Sequence, residues 1–344
     1  QQNIEKANYL NIGSKKVERK YFVKKLIRSF LSYLVPVAFV TIVFSLLLVH
    51  KTKEEILKKV PTMVENLKIS IETSFETTSH ISVMLDNHPN IKLSVSKMLN
   101  STNISYADLS GFHLLCSLVD TPADINAFID SVYVYLVNDN RNFIVSGLGI
   151  QSFNLYPDTQ WYDNYLNLKN NQNLFIEKRA IKSYQFEQTP TPVISLYKPV
   201  SGGVVVTNFY ANNFNNLLRH YQTFDDELLF IAKLSGEVLL ENQNIDPELL
   251  KQITAEKPVL LNEITYNNRT YIIHSYLSEQ YNLLFASIVP EDDILYLLAK
   301  QILRIIFYVV LLSFLLAFLT AYSQVHRNFT QLQSIIDVFG NAEK

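Results

Sequence analysis

Several classes of protein are excluded by what this sequence lacks. Its 344 residues include one cysteine, Cys116, so a disulfide framework cannot form within the chain. Eight glycines and eleven prolines are too few for a collagen-like or low-complexity protein. Thirty basic residues stand against 32 acidic ones, which leaves no overall basic footprint for nucleic acid. The seven histidines, His50, His80, His88, His113, His220, His274 and His326, are scattered. None pairs at i, i+4 or forms a His-Glu-x-x-His motif, so no metal site is expected. A phosphate-cradling loop and a Gly-x-Ser-x-Gly elbow are both missing, and Gly147-Leu148-Gly149 lacks the rest of a dinucleotide fingerprint. Asp225, Asp226 and Glu227 form an acidic run that reads as a solvated loop. No catalytic residue, no cofactor and no enzymatic activity are expected. Asn100-Ser101-Thr102 and Asn103-Ile104-Ser105 match glycosylation acceptors, a pattern common by chance.

What is present is apolar surface, 48% of residues, concentrated in two places. Ser29 to Val49 and Ile305 to Val325 are each uncharged and rich in Leu, Val and Phe. A helix of that length spans roughly 30 Å, the thickness of a bilayer's hydrocarbon core. Both read as transmembrane helices, with Pro36 at most kinking the first. That first run is too long for a signal-peptide core, and Lys51, Lys53, Glu54 and Glu55 follow it where a small-residue cleavage site would stand. Lys15, Lys16, Arg19, Lys20, Lys24, Lys25 and Arg28 precede it, which keeps the N-terminus in the cytoplasm. Two spans then return the C-terminus to the same side and hold the intervening segment outside. A start at Gln1 and a stop at Lys344, shortly after the second span, point to an excerpt of a longer protein.

Periodicity divides the outside segment. Ile56, Val60, Met63, Leu67, Ile71 and Phe75 recur at three- and four-residue steps, one stripe of a stalk helix. Helical patterns follow over Ile91–Leu99 and Tyr106–Val119. Then the period becomes two. Val132–Val137 and Phe143–Val145, turned by Asn138-Asp139-Asn140, form a hairpin, and Val193–Val200 with Val204–Phe209, turned at Ser201-Gly202-Gly203, form another. Ala211–Tyr221 reads as a short helix. Leu228–Leu234 with Val238–Leu240, a helix starting at Asp246-Pro247-Glu248, and strands Val259–Tyr266, Arg269–Tyr276 and Tyr281–Val289 make a second, smaller lobe. After Pro290, the acids Glu291, Asp292 and Asp293 begin a helix that runs into the second span. The fold class is α+β with antiparallel sheets. Two spans without internal charge argue against a transporter.

The order of these elements, with "SVYVYLVNDNRNFIVSG", "WYDNYL", "ISLYKPVSGGVVVTNFY", "LLFIAKLSGEVLLE" and "YNLLFASIVPEDDI", resembles the double-PAS extracytoplasmic sensors called dCache over roughly residues 27 to 325. The resemblance implies two transmembrane helices flanking a double-PAS domain. Its expected divisions are a basic cytoplasmic segment, 1–28; a first span, 29–49; stalk and membrane-distal lobe, 50–222; membrane-proximal lobe, 223–290; connecting helix, 291–304; second span, 305–325; and a cytoplasmic linker, 326–344. It also implies that Tyr133, Tyr135, Trp161, Tyr162, Arg179, Tyr197 and Asn208 line a distal ligand pocket. Ordinary packing of aromatic strands is the competing reading of those residues. Amino-acid-sensing members carry an arginine and an aspartate where Thr159 and Asn208 stand here, which argues against an amino-acid ligand.

The expected protein is therefore a receptor in a bacterial plasma membrane, a homodimer through stalk and spans, with a small extracellular ligand. The tail places Phe329, Leu332, Ile335, Ile336 and Phe339 on one helical face, and no proline falls between Val325 and Lys344. HAMP linkers normally have an early proline; the tail, with Arg327-Asn328-Phe329, resembles more the "R-N-Y-x-P-I"-like linker of membrane-anchored AraC-type transcription regulators, although the proline of that pattern is absent too. DNA would then be met only through a domain outside this chain. The alternatives are a histidine kinase output, or a non-signalling cell-surface binding or assembly protein.

Overall fold

A computed structural model describes residues 2–100, 106–139, 141–168, 174–182, 188–255 and 262–342. Residues 101–105 of the glycosylation-type motifs, residues 259–261 of an expected strand, and the side chains of the tail stripe lie outside the described residues. The chain divides into two compact units, residues 57–293 and residues 1–56 with 294–344.

In residues 57–293 the stalk stripe is the buried face of helix α1 (Gln2–Asn87): Val60, Met63, Leu67, Ile71 and Phe75 are buried, joined by Val64. Helices α2 (Pro89–Asn100) and α3 (Tyr106–Ile125) follow, α3 running past the expected end at Val119 with Pro122 inside it. Gly111 sits where α3 meets α2: a Cβ there would lie 2.0 Å from Ser94 Oγ, so close packing accounts for a residue that otherwise weakens a helix.

Two antiparallel sheets follow. The first contains β1 (Ile129–Val137), β2 (Asn142–Ser146), β3 (Gly149–Ser152), β4 (Phe175–Ile181), β5 (Thr191–Val200) and β6 (Gly203–Tyr210), in the order β3-β2-β1-β6-β5-β4. The second contains β7 (Leu228–Lys233), β8 (Val238–Glu241), β9 (Asn262–Tyr266), β10 (Arg269–Ser278) and β11 (Leu283–Pro290), in the order β8-β7-β11-β10-β9. Apart from the extra edge strand β3, the two sheets repeat one order. Helix α4 (Tyr162–Leu168) lies between β3 and β4, α5 (Ala211–Tyr221) joins the sheets, and α6 (Pro247–Ala255) follows β8.

Side chains alternate across a strand, so each sheet has two faces. The inner face of the first carries Val132, Val134, Ile194, Leu196, Val205 and Phe209; that of the second carries Leu229, Ile231, Leu283 and Phe285. Both belong to one core with α1. Phe75 of α1 meets Phe209 of the first sheet at 5.0 Å between ring centroids, Phe214 of α5 at 5.9 Å and Tyr281 beside the second sheet at 5.2 Å. Burying such a ring contributes about 1.5–3 kcal/mol. Thr78 Oγ1 donates to Thr207 Oγ1 at 2.9 Å, and Lys198 Nζ to Ser79 Oγ at 2.9 Å.

The acidic run after α5 is not uniformly solvated. Asp225 and Asp226 are exposed, but Glu227 is fully buried. Its carboxylate accepts from Ser287 Oγ at 2.7 Å and from the Thr223 and Phe224 amides at 2.5 and 3.2 Å. Backbone donors left over at the chain reversal after α5 explain why a carboxylate is retained there. Burial raises its pKa despite these donors.

Residues 1–56 and 294–344 contain the first part of α1 and most of α7 (Glu291–Ala342). Phe30 and Phe314 meet edge to face at 5.1 Å, and Thr41, Ala317, Ala321 and Val325 are buried. Ile294 and Leu298 are buried too, whereas many other apolar side chains, such as Phe39, Leu46, Phe307 and Leu312, are exposed. Within the helices Thr41 donates to the Val37 carbonyl and Ser313 to that of Val309. Phe30–Thr52 and Glu291–Asn328 are long and apolar enough to cross a membrane.

Candidate ligand-binding cavity

The outer face of the first sheet differs chemically from its inner face. Strand register aligns Ser131 of β1 with Asn208 of β6, Asn208 with Ser195 of β5, and Ser195 with Glu177 of β4. Two residues further along, the next row on that face is Tyr133, Val206, Tyr197 and Phe175. One row is polar and its neighbour mostly aromatic.

Arg179, two residues from Glu177 on β4, reaches over the polar row. Its guanidinium grips both carboxylate oxygens of Asp158, with Nη2 to Oδ2 at 2.6 Å, and donates to Ser195 Oγ at 2.6 Å, Asn208 Oδ1 at 3.0 Å and Tyr133 Oη at 3.1 Å. The Tyr133 hydroxyl donates to Asp158 Oδ2 at 2.7 Å, and Trp161 Nε1 to the Asp158 carbonyl at 2.9 Å. Arg179 and Asp158 side chains are 9% and 7% exposed, so this bidentate pair is removed from water and held by its hydrogen bonds. Burial alone would lower the pKa of Arg179; the neighbouring Tyr133 and Asp158 more than reverse that and hold it above its ordinary value. Burial, then the charge of Asp158, pushes the Tyr133 phenol well up, so it stays a hydrogen-bond donor.

Beside this knot the aromatics pack on one another. Trp161 is fully buried, 5.4 Å from Tyr135, 5.9 Å from Tyr162 and stacked on Tyr197 at 6.4 Å. Tyr165 and Phe153 complete the cluster. Glu177 accepts from the Tyr197 hydroxyl and, at 2.6 Å, from Asn164 Nδ2.

A cavity of about 380 Å³ opens next to the knot, lined by residues from α3, β1, β6, the β2–β3 turn and the loop before Trp161. Of the seven residues expected to line a pocket, the structure brings all to the outer face, but only Tyr133 and Asn208 border this cavity. Tyr135, Trp161, Tyr162 and Tyr197 form the aromatic core beside it, and Arg179 stands behind Asp158. The expected set missed Asp120, Asp130, Ser131, Ser146, Tyr156 and Asp158. Their one sequence cue is Tyr156-Pro157-Asp158, a turn placing an acid just ahead of the only tryptophan. Gly147 lets Asp120 reach the cavity: a Cβ at Gly147 would lie 2.0 Å from Asp120 Oδ1. Among the described residues, no group of three or more His, Cys, Asp or Glu side chains is placed to hold a metal.

No family model and no curated protein matches the chain. Among solved structures, the sensory domain of the Campylobacter jejuni chemoreceptor Tlp3 with isoleucine bound aligns with 73% of this chain and 97% of its own, at 14% identity and a TM-score of 0.45. The periplasmic sensory domain of the Campylobacter jejuni chemoreceptor Tlp1 aligns over 72% and 98%, at 11% identity and 0.47. The ligand-binding domain of Mlp24 with asparagine aligns over 74% and 98%, at 14% identity and 0.41. Likeness at this level is one of general outline, and the chemistry of the cavity rests on its own residues.

Proposed function

We propose that this chain is the sensing region of a two-span receptor in a bacterial plasma membrane, both termini cytoplasmic, that binds a small extracellular ligand. Its two lobes are read as PAS-like, the distal one holding the ligand, and its activity as binding without catalysis. The observation that carries this reading is the cavity on the outer face of a sheet whose inner face packs on α1. A ligand bound there contacts β1 and β6, the strands that place Val134 and Phe209 against that helix. Binding shifts two arrangements of the lobes only by its differential affinity for them. Helix α7 begins directly after β11 and carries the second apolar run, which provides the route to the cytoplasm. Exposed apolar faces on both long helices support a lipid environment, and the basic residues before Ser29 support the orientation.

The reading extends to a homodimer joined through stalk and spans and to an AraC-type DNA-binding output following the second span, with a histidine kinase as the alternative output. Two helix-turn-helix units in the coding sequence after Lys344 support the first; a histidine-bearing dimerisation helix with ATP-binding boxes supports the second. Topology is tested in intact cells with single cysteines in a Cys116→Ser background. Thr189→Cys is expected to react with a membrane-impermeant maleimide, whereas Ser14→Cys and Asn341→Cys are expected to be protected. Reaction at only one of the latter two overturns the two-span receptor.

A further inference from the structure

Besides sharing α1, the two sheets face each other across a groove of about 530 Å³, bordered by Phe175 and Ile176 of β4 on one side and by Lys233, Leu234, Ser235 and Leu283 of the second lobe on the other. Lys233 crosses it. Its Nζ lies 4.9 Å from the centroid of the Phe175 ring, within the range of a cation–π contact. The Lys233 backbone is pinned at the end of β7, its amide donating to the Glu237 carbonyl and its carbonyl accepting from the Gly236 amide, both at 2.9 Å. The side chain is therefore the part able to move. It is 21% exposed, and Glu237 Oε2 lies 2.7 Å from Nζ on the same hairpin. The ammonium thus keeps a partner whether or not it lies over the ring.

Phe175 is the outer end of a run of rings. It stacks on Tyr197 at 5.8 Å, Tyr197 stacks on Trp161 at 6.4 Å, and Trp161 meets Tyr133 at 5.9 Å. Tyr133 borders the cavity. Tyr133, Trp161 and Tyr197 are fully buried, and closely packed rings pass a displacement on because they have no space in which to absorb it. On the other side of the groove, strand register pairs Lys233 with Leu283, the first residue of β11, which ends at Pro290 where α7 begins.

We infer that Lys233 and Phe175 form a releasable clasp between the lobes: occupation of the cavity displaces Tyr133, the run of rings carries the shift to Phe175, and Lys233 leaves the ring while staying on Glu237, which frees the second lobe to move against the first. The inference rests on the receptor reading of the cavity and adds how its occupation reaches the second lobe by a route separate from α1. Coupling through packed side chains needs an element with two discrete arrangements, and the closed and open clasp supply them.

The test measures the distance between the lobes by pulsed electron–electron resonance on the full chain in lipid nanodiscs, with spin labels at Lys92→Cys on α2 and Gln252→Cys on α6, both exposed, in a Cys116→Ser background. A side chain built into the cavity stands in for a ligand: Ser146→Trp and, as an independent filling, Ala123→Trp, both at residues that border it. Each is expected to shift the most populated distance by about 1–2 Å. Lys233→Met and Phe175→Leu, which open the clasp from either side, are expected to show that shifted distance unfilled and no further shift when filled. Lys233→Arg, whose guanidinium also lies on aromatic rings, and Glu237→Gln, which removes only the ion pair, are expected to keep the parent's distance until filled. If Lys233→Met or Phe175→Leu keeps the parent's unfilled distance, or is shifted by filling as far as the parent is, the clasp is overturned while the receptor reading stands, with α1 as the link. If neither filling shifts the parent, occupation of the cavity is not felt at the second lobe, and the clasp and the receptor reading fall together.

Discussion

The two sheets repeat one strand order and share α1 as a floor, yet their outer faces have diverged. On the first, Ser131, Asn208, Ser195 and Glu177 make a polar row, Asp158 and Arg179 close over it, and a cavity remains. On the second, Phe230, Ala232, Ile273, Leu284, Ala286 and Ile288 are covered by Leu249 and Ile253 of α6. An apolar face can be sealed by a helix without leaving a group unsatisfied. A polar face demands partners for every donor and acceptor, and side chains that meet fixed hydrogen-bond geometry cannot also fill all the space. One topology thus yields an apolar outer face covered by a helix in one lobe and a lined hollow in the other.

That comparison can be broken by experiment. The largest effect is expected from Asp158→Ala, which leaves Arg179 buried without its counter-ion. It should cost about 3–5 kcal/mol in a denaturant titration and abolish ligand response. A loss below 1 kcal/mol would mean that the ion pair does not organise the outer face. Leu249→Ala in the second lobe should cost about 2–5 kcal/mol through a cavity under α6, with ligand affinity unchanged. A change in affinity as large as that in stability would show that the second face takes part in binding.

The smallest effect concerns Glu227, at the junction of the lobes. Its pKa is raised in the fold by burial, so its contribution is most favourable below the ordinary carboxylate range and is lost as pH rises through the raised value. Glu227→Gln removes this titration. The stability difference between the parent chain and Glu227→Gln should therefore change with pH in weakly acid solution, the parent losing ground as pH rises. A difference independent of pH would show that this carboxylate does not titrate in that range.

Much of this architecture was legible because local repetition encodes it. The stripe from Val60 to Phe75, the hairpin of Val132–Val137 and the helix Ala211–Tyr221 are each marked by residues a few positions apart in the chain. The elements that went unread had weak local signals. Strand β3 is four residues long and starts on a glycine, α4 is seven residues long, and β4 mixes charges into its alternation. Tyr133, Tyr135, Trp161, Tyr162 and Tyr197 were expected to line a pocket; they gather on the outer face of the first sheet, where Trp161 and Tyr197 pack ring to ring. Asp158 reads as an ordinary loop acid until its partner is known, and that partner, Arg179, comes from a strand beyond α4.

Period, turn chemistry and apolar length are properties of neighbours in sequence, so helix, strand and membrane-length runs follow from the order of residues alone. Whether an aromatic ring fills space or borders it, and whether a carboxylate meets an arginine or an open cavity, depends on groups brought together across four strands. Packing and hydrogen-bond geometry act through space with no regard to separation along the chain, and only the folded arrangement decides them.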